Sequence, residues 1–174
     1  MDKKKMRWFL NRITNSRYVN LYFEGEENPV DTVDDILAEI ASGKFTNDYF
    51  IDVDISSLTG DEEGKKLADI VNRKMKEIHF PHWIRDSLSI EHTLEQFDER
   101  LDRAALIIFH YFKDPKNKEE KQILTSLRIF IDKNNPRYVQ ILIISSGKTE
   151  HWDLAPYSLL DERFVEYISW GDLK

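Results

Sequence analysis

Two stretches of this chain, Ala104 to Phe112 and Tyr138 to Ser145, read as buried strands, the first apolar on both faces apart from His110. A strand apolar on both sides must be covered on both sides, as a central strand of a parallel sheet is. Around these two the periodicity alternates. Lys5 to Asn15 carries Met6, Phe9, Leu10 and Ile13 at helical spacing; Tyr18 to Glu24 alternates as a strand; Asp31 to Ser42 returns to helical spacing and stops before Gly43. Tyr49 to Ile55 reads as a strand, Asp61 to Glu77 as a helix ended by Pro81, and Ile90 to Arg103 as a shorter helix. Asn117 to Lys133 gives a long helix stopped by Asn134, Asn135 and Pro136, and Phe164 to Trp170 a last strand.

Five strands joined through helices require crossover connections, and crossovers of this kind are right-handed. The expected fold is therefore α/β, a three-layer α/β/α sandwich around a mostly parallel five-stranded sheet. At 174 residues the chain is expected to form a single domain, with residues 1–16 an N-terminal helix and 17–170 the core. No internal repeat or low-complexity linker interrupts it; the long irregular segments are 78–90 and 146–162.

Composition excludes several function classes. Hydrophobic residues make up 41% and charged residues 33%, ordinary for a globular protein. The formal net charge of -7 argues against nucleic acid as a partner, because that affinity comes largely from Lys and Arg displacing counterions. Lys3-Lys4-Lys5 with Arg7 and Arg12 is a local exception, read as a solvated helix face. The absence of cysteine removes disulfides, thiolate zinc sites and cysteine nucleophiles. No apolar run reaches the roughly 18 residues that cross a bilayer, and residues 1–15 lack the apolar region of a signal peptide. The expectation is a cytoplasmic protein without a membrane partner.

The motif richest in meaning is Gly25-Glu26-Glu27-Asn28-Pro29-Val30-Asp31-Thr32, set between a strand and a helix. A phosphate-binding P-loop reads G-x-x-x-x-G-K-[ST] in that setting. Here Val30 replaces the second glycine and Asp31 the lysine. A β-branched Val30 would be strained where positive φ is needed, and Asp31 sets a like charge against phosphate. One unit pair at about 4 Å is worth roughly 4 kcal/mol at an effective dielectric near 20. Exchanging Lys for Asp swings the interaction by about twice that, as much as a micromolar affinity contains. Thr32 keeps the hydroxyl that would face Mg²⁺.

Three further segments fall in sequence after this loop: Leu106-Ile107-Ile108-Phe109-His110-Tyr111, Gln140-Ile141-Leu142-Ile143-Ile144-Ser145-Ser146-Gly147, and Leu159 to Ile168, which contains Arg163-Phe164. With the loop, they resemble the Walker A, Walker B, sensor-1 and fifth-strand landmarks of AAA and STAND P-loop NTPases, over residues 17–170. The resemblance implies the strand order 5-1-4-3-2. It also implies that the Walker B carboxylates are replaced by His110 and Tyr111, neither of which holds a hard cation as a carboxylate does. What the resemblance implies is thus a degenerate, inactive STAND-like module. No cofactor is expected, nucleotide and Mg²⁺ binding are disfavoured, and the partner is expected to be a protein. Such modules occur in bacterial conflict and defence systems. Gly25, Val30, Asp31, Thr32, His110, Tyr111, Ser145 and Arg163 are the degenerate nucleotide-site positions.

Other candidates compete. Asp52-Val53-Asp54 ends a strand with two carboxylates on one face and resembles the D-x-D opening of haloacid-dehalogenase-like phosphatases, so the alternative function is a Mg²⁺-dependent hydrolase or phosphatase using Asp52 and Asp54. The bland reading leaves both solvated at the sheet edge. Gly147-Lys148-Thr149 spells the end of a P-loop, but the first glycine would fall at Leu142 inside a strand. His79 and His82 flank Pro81, which breaks the helix that would orient them for zinc. Asp114 before Pro115 reads as a turn residue. Trp152 and Tyr157 are a candidate interaction surface, set against the commoner role of aromatics as core.

Overall fold

The computed structural model describes residues 2–25, 30–44, 49–56, 72–73, 89–133, 136–152 and 165–173. Five strands form one sheet: β1 (Tyr18–Phe23), β2 (Tyr49–Asp54), β3 (Ala105–Phe112), β4 (Val139–Ser146) and β5 (Glu166–Ser169). Every neighbouring pair is parallel, so the expectation of a mostly parallel sheet becomes an all-parallel one. The order is β2-β3-β4-β1-β5, which from the opposite edge is 5-1-4-3-2. The helices are α1 (Lys3–Asn15), α2 (Val30–Glu39, followed by a π-turn at Ile40–Lys44), α3 (Ile90–Arg100), α4 (Lys118–Lys133) and α5 (Trp170–Leu173). Of the helix expected over 61–77 the described residues include Asn72 and Arg73, both helical; the rest of it lies outside the described residues, as do His79, His82, Trp83, Tyr157 and Arg163.

Strand alternation builds two cores. Ile51, Val53, Ile107, Phe109, Ile141 and Ile143 point to the face covered by α3 and α4, meeting Leu94, Phe97, Leu124, Leu127 and Phe130. The intervening Leu106, Ile108, Leu142 and Ile144 point the other way, to Phe9 and Ile13 of α1, Val33 and Ile36 of α2, and Trp170 and Leu173 of α5. This accounts for β3 and β4 reading as apolar throughout: each side chain meets one of two helical layers. Fully burying a side chain of this size is worth about 1.5–3 kcal/mol, so the sheet's two central strands anchor both cores.

Local polar contacts fix where elements begin. Asp2 caps α1 by accepting from the Lys4 N–H at 3.1 Å, and Ser89 caps α3. The Asp98 carboxylate on α3 accepts from three successive backbone N–H groups, Arg137, Tyr138 and Val139, at 3.0, 2.8 and 3.0 Å. That triple bond holds the entry of β4 against α3. Glu120, buried in the first turn of α4, accepts from the Lys113 and Asp114 N–H groups after β3 at 2.8 and 3.2 Å. Burial pushes its carboxyl above the usual range, against the pull of those two bonds. Asp114 accepts from the Lys116 N–H at 2.8 Å, the turn role expected of it.

The last strand is shorter than expected. After Ser169 the chain turns into α5, and Trp170 packs on Phe23 with ring centroids 5.4 Å apart.

Candidate functional site

Open parallel sheets place their sites at the carboxyl ends of the strands, and the described residues there form two separate polar groups. The first is built by an irregularity in β3. Phe109 pairs with Ile143 and Phe112 with Ser145, so three steps along β3 answer two along β4. The extra residue is a β-bulge. Tyr111 takes φ 70°, the one positive φ at a non-glycine among the described residues. The bulge cancels the strand alternation for one step. His110 shares a face with Asp54, its register partner, and Tyr111 joins the core on that same side, under α2, while Phe112 returns to the α3–α4 side.

The Tyr111 hydroxyl thereby reaches the first turns of α2. It donates to Asp34 Oδ1 at 3.0 Å, with the Val30 carbonyl at 3.2 Å. Burial raises the phenol above its ordinary range; the hydrogen bond to Asp34 and the charges of Asp34, Asp54 and Asp52 push the same way. Tyr111 therefore stays a neutral donor. Its ring meets that of His110 edge-on, centroids 4.5 Å apart.

His110 is 3% exposed, and its Nε2 hydrogen-bonds the Asp52 carboxylate. Its Nδ1 is buried and has no hydrogen-bond partner among the described residues. Asp54 turns elsewhere: its Oδ1 accepts from the Ser56 N–H at 2.9 Å and the Ser56 hydroxyl at 2.7 Å, closing the end of β2. The two carboxylates of the D-x-D are thus committed to different partners. Asp52 keeps a side chain 40% exposed, as the solvated reading expects, and bonds His110 in addition. Among the described residues no three His, Asp or Glu side chains converge in a way that could hold a metal ion.

The second group lies where β1 meets β4. Asn20, fully buried, donates through Nδ2 to Ser145 Oγ at 2.9 Å and the Ile143 carbonyl at 3.1 Å. Its Oδ1 accepts from the Thr149 N–H and hydroxyl at 3.0 and 2.8 Å. Ser145 in turn donates to the Gly147 carbonyl at 2.8 Å. Every polar atom of this knot has a partner, as a buried position demands. Gly147, at φ +83°, lets the chain turn back after β4. In the Gly147-Lys148-Thr149 segment Thr149 is spent on Asn20, and Lys148 pairs with Glu150 while lying over the Tyr167 ring at 4.7 Å.

The remaining positions scatter. Gly25 adopts φ +88°, and the loop residues 26–29 lie outside the described set. Val30 is the first residue of α2, with helical rather than positive-φ backbone, so the strain that a positive-φ glycine position would impose does not arise. Thr32 does not join the Asp52–His110 group; it lines a cleft between α1 and α2. Trp152 is 3% exposed and packs edge-on against Phe112, centroids 6.3 Å apart, so it belongs to the core and not to an interaction surface.

Sequence reasoning missed Asn20, the bulge at Tyr111 and the α1–α2 cleft. Asn20 carried a signal, a polar residue in mid-strand. The bulge carried none, since φ at Tyr111 follows from pairing across β4.

Among the described residues no helix is long and apolar enough to cross a membrane. No protein-family model matches this chain, and no curated protein matches it in sequence.

Proposed function

We propose that this chain is a non-catalytic module with a P-loop NTPase-like, inactive STAND-like architecture, acting in protein interaction or signalling, in keeping with bacterial conflict and defence systems. The carrying observation is the Tyr111 hydroxyl on Asp34 and the Val30 carbonyl. In a phosphate-binding P-loop the start of the helix after β1 offers N–H groups to an anion. Here that helix start carries Asp31 and Asp34 and is tied to a bulged tyrosine. Asp52 and Asp54 add negative charge at the same edge, which repels a polyphosphate. The strand order 5-1-4-3-2 supports the architecture, with the Gly25 to Thr32 loop following the strand that order makes the second.

Support for a partner comes from α1. Trp8, 44% exposed, is the large apolar side chain left to solvent among the described residues, and Arg12 lies over its ring at 5.2 Å. Exposed aromatic and arginine pairs are frequent anchors of protein interfaces.

Titration calorimetry with ATP, ADP and GTP in the presence of Mg²⁺, beside a hydrolysis assay, tests the reading. No heat of binding and no turnover are expected. Binding in the low micromolar range would sink it, and Mg²⁺-dependent phosphatase activity lost in Asp52→Asn and Asp54→Asn would move the reading to the hydrolase alternative.

A further inference from the structure

The cleft between α1 and α2, floored partly by α5, has a volume of about 750 Å³. Leu10, Ile36 and Trp170 form an apolar bottom, and each is buried. The two walls carry opposite charge: Lys3 and Arg7 on α1, Asp35 and Glu39 on α2. These charges do not meet across the cleft, and Lys3, Arg7 and Asp35 make no ion pair among the described residues. Lys3, a cation in the first turn of α1, also opposes the dipole of its own helix, so helix stability does not account for it.

From Lys3 to Asn11 the α1 wall advances about 12 Å, two helical turns at 1.5 Å per residue. A trough two turns long with an apolar floor and unlike charged rails matches one occupant well, an amphipathic helix laid in lengthwise. We propose that this cleft is the docking groove for such a helix from a partner protein, with an acidic flank against Lys3 and Arg7 and a basic flank against Asp35 and Glu39. The proposal rests on the interaction reading above and gives it a place and a chemistry. The charge arrangement also selects direction. A helix carrying one sign on both flanks meets repulsion from one wall.

The test uses the full chain and a displayed library of helical peptides about four turns long, the common helix length in proteins. The peptides have a fixed apolar stripe, and their two flanks are randomised between Glu and Lys. The library should enrich peptides with Glu on one flank and Lys on the other. Arg7→Glu or Asp35→Lys should each weaken an enriched peptide about tenfold, with recovery when the facing flank is reversed. Ala38→Trp, at an exposed position on the groove wall, should abolish binding while circular dichroism keeps the wild-type spectrum. Should Ala38→Trp unfold the chain, the charge reversals decide alone. Enriched peptides indifferent to the charge reversals and, where it folds, to Ala38→Trp would overturn the groove and leave the interaction reading standing. No enrichment at all would count against both, whereas nucleotide binding would remove the interaction reading whatever the peptides do. Self-association in sedimentation velocity that disappears in Ala38→Trp would assign the groove to a second copy and overturn the proposed partner.

Discussion

The two faces of the sheet are closed by different means. On one, α3 and α4 pack against each other and on the strands, and Asp98 binds three backbone N–H groups to seal the layer's edge. On the other, α1 rests on β1 and α5 and is separated from α2 by a cleft with charged walls. Both faces have full apolar floors, so the difference does not come from a shortage of hydrophobic residues. It comes from what the helices offer sideways: apolar side chains on the closed face, and on the open one Lys3, Arg7 and Asp35, which make no ion pair among the described residues. The closed face is built for stability, and the open one keeps surface in reserve.

That contrast can be attacked by mutation. Phe130→Ala on the closed face should cost about 3–5 kcal/mol in urea unfolding, because the side chain is fully buried and a cavity remains. A loss below about 1 kcal/mol would mean that this layer is looser than its packing implies. Asp98→Ala should cost about 2–3 kcal/mol, since hydrogen bonds to a charged acceptor are worth more than neutral ones and part of the exposed end is rescued by water. Hydrogen exchange at Tyr138 and Val139 should quicken with it; unchanged exchange would separate the seal from Asp98. Tyr111→Phe removes one hydroxyl between β3 and α2 and should cost about 1 kcal/mol. If it costs nothing, the tie between the bulge and the helix start is incidental. Arg7→Glu on the open wall should stay within about 0.5 kcal/mol of wild type. A large destabilisation there would make Arg7 structural and blur the comparison.

Much of the fold was legible before any coordinates. The runs at 104–112 and 138–145 dictated strands covered on both faces, and the structure has them as the neighbouring β3 and β4. Helix limits came within a few residues because caps and breakers such as Ser89, Asn134 and Pro136 act locally. The candidate site was less legible. Asp52 and Asp54 were correctly placed at a strand end, yet their shared face suggested a shared ligand. Asp52 instead answers His110, 58 positions away, and Asp54 answers Ser56. Trp152 shows the same limit, since a loop aromatic becomes core once Phe112 lies beside it.

The division has a physical reason. Periodicity, caps and turn residues are short-range properties, so the sequence alone determined most of the described helices and strands, the short α5 excepted, and that the sheet is buried on both sides. Whether His110 and Tyr111 share a face depends on a bulge made by pairing with β4, and whether α1 and α2 touch depends on how each packs on the strands below. Those outcomes rest on contacts between residues distant in the chain, and only the tertiary structure decided them.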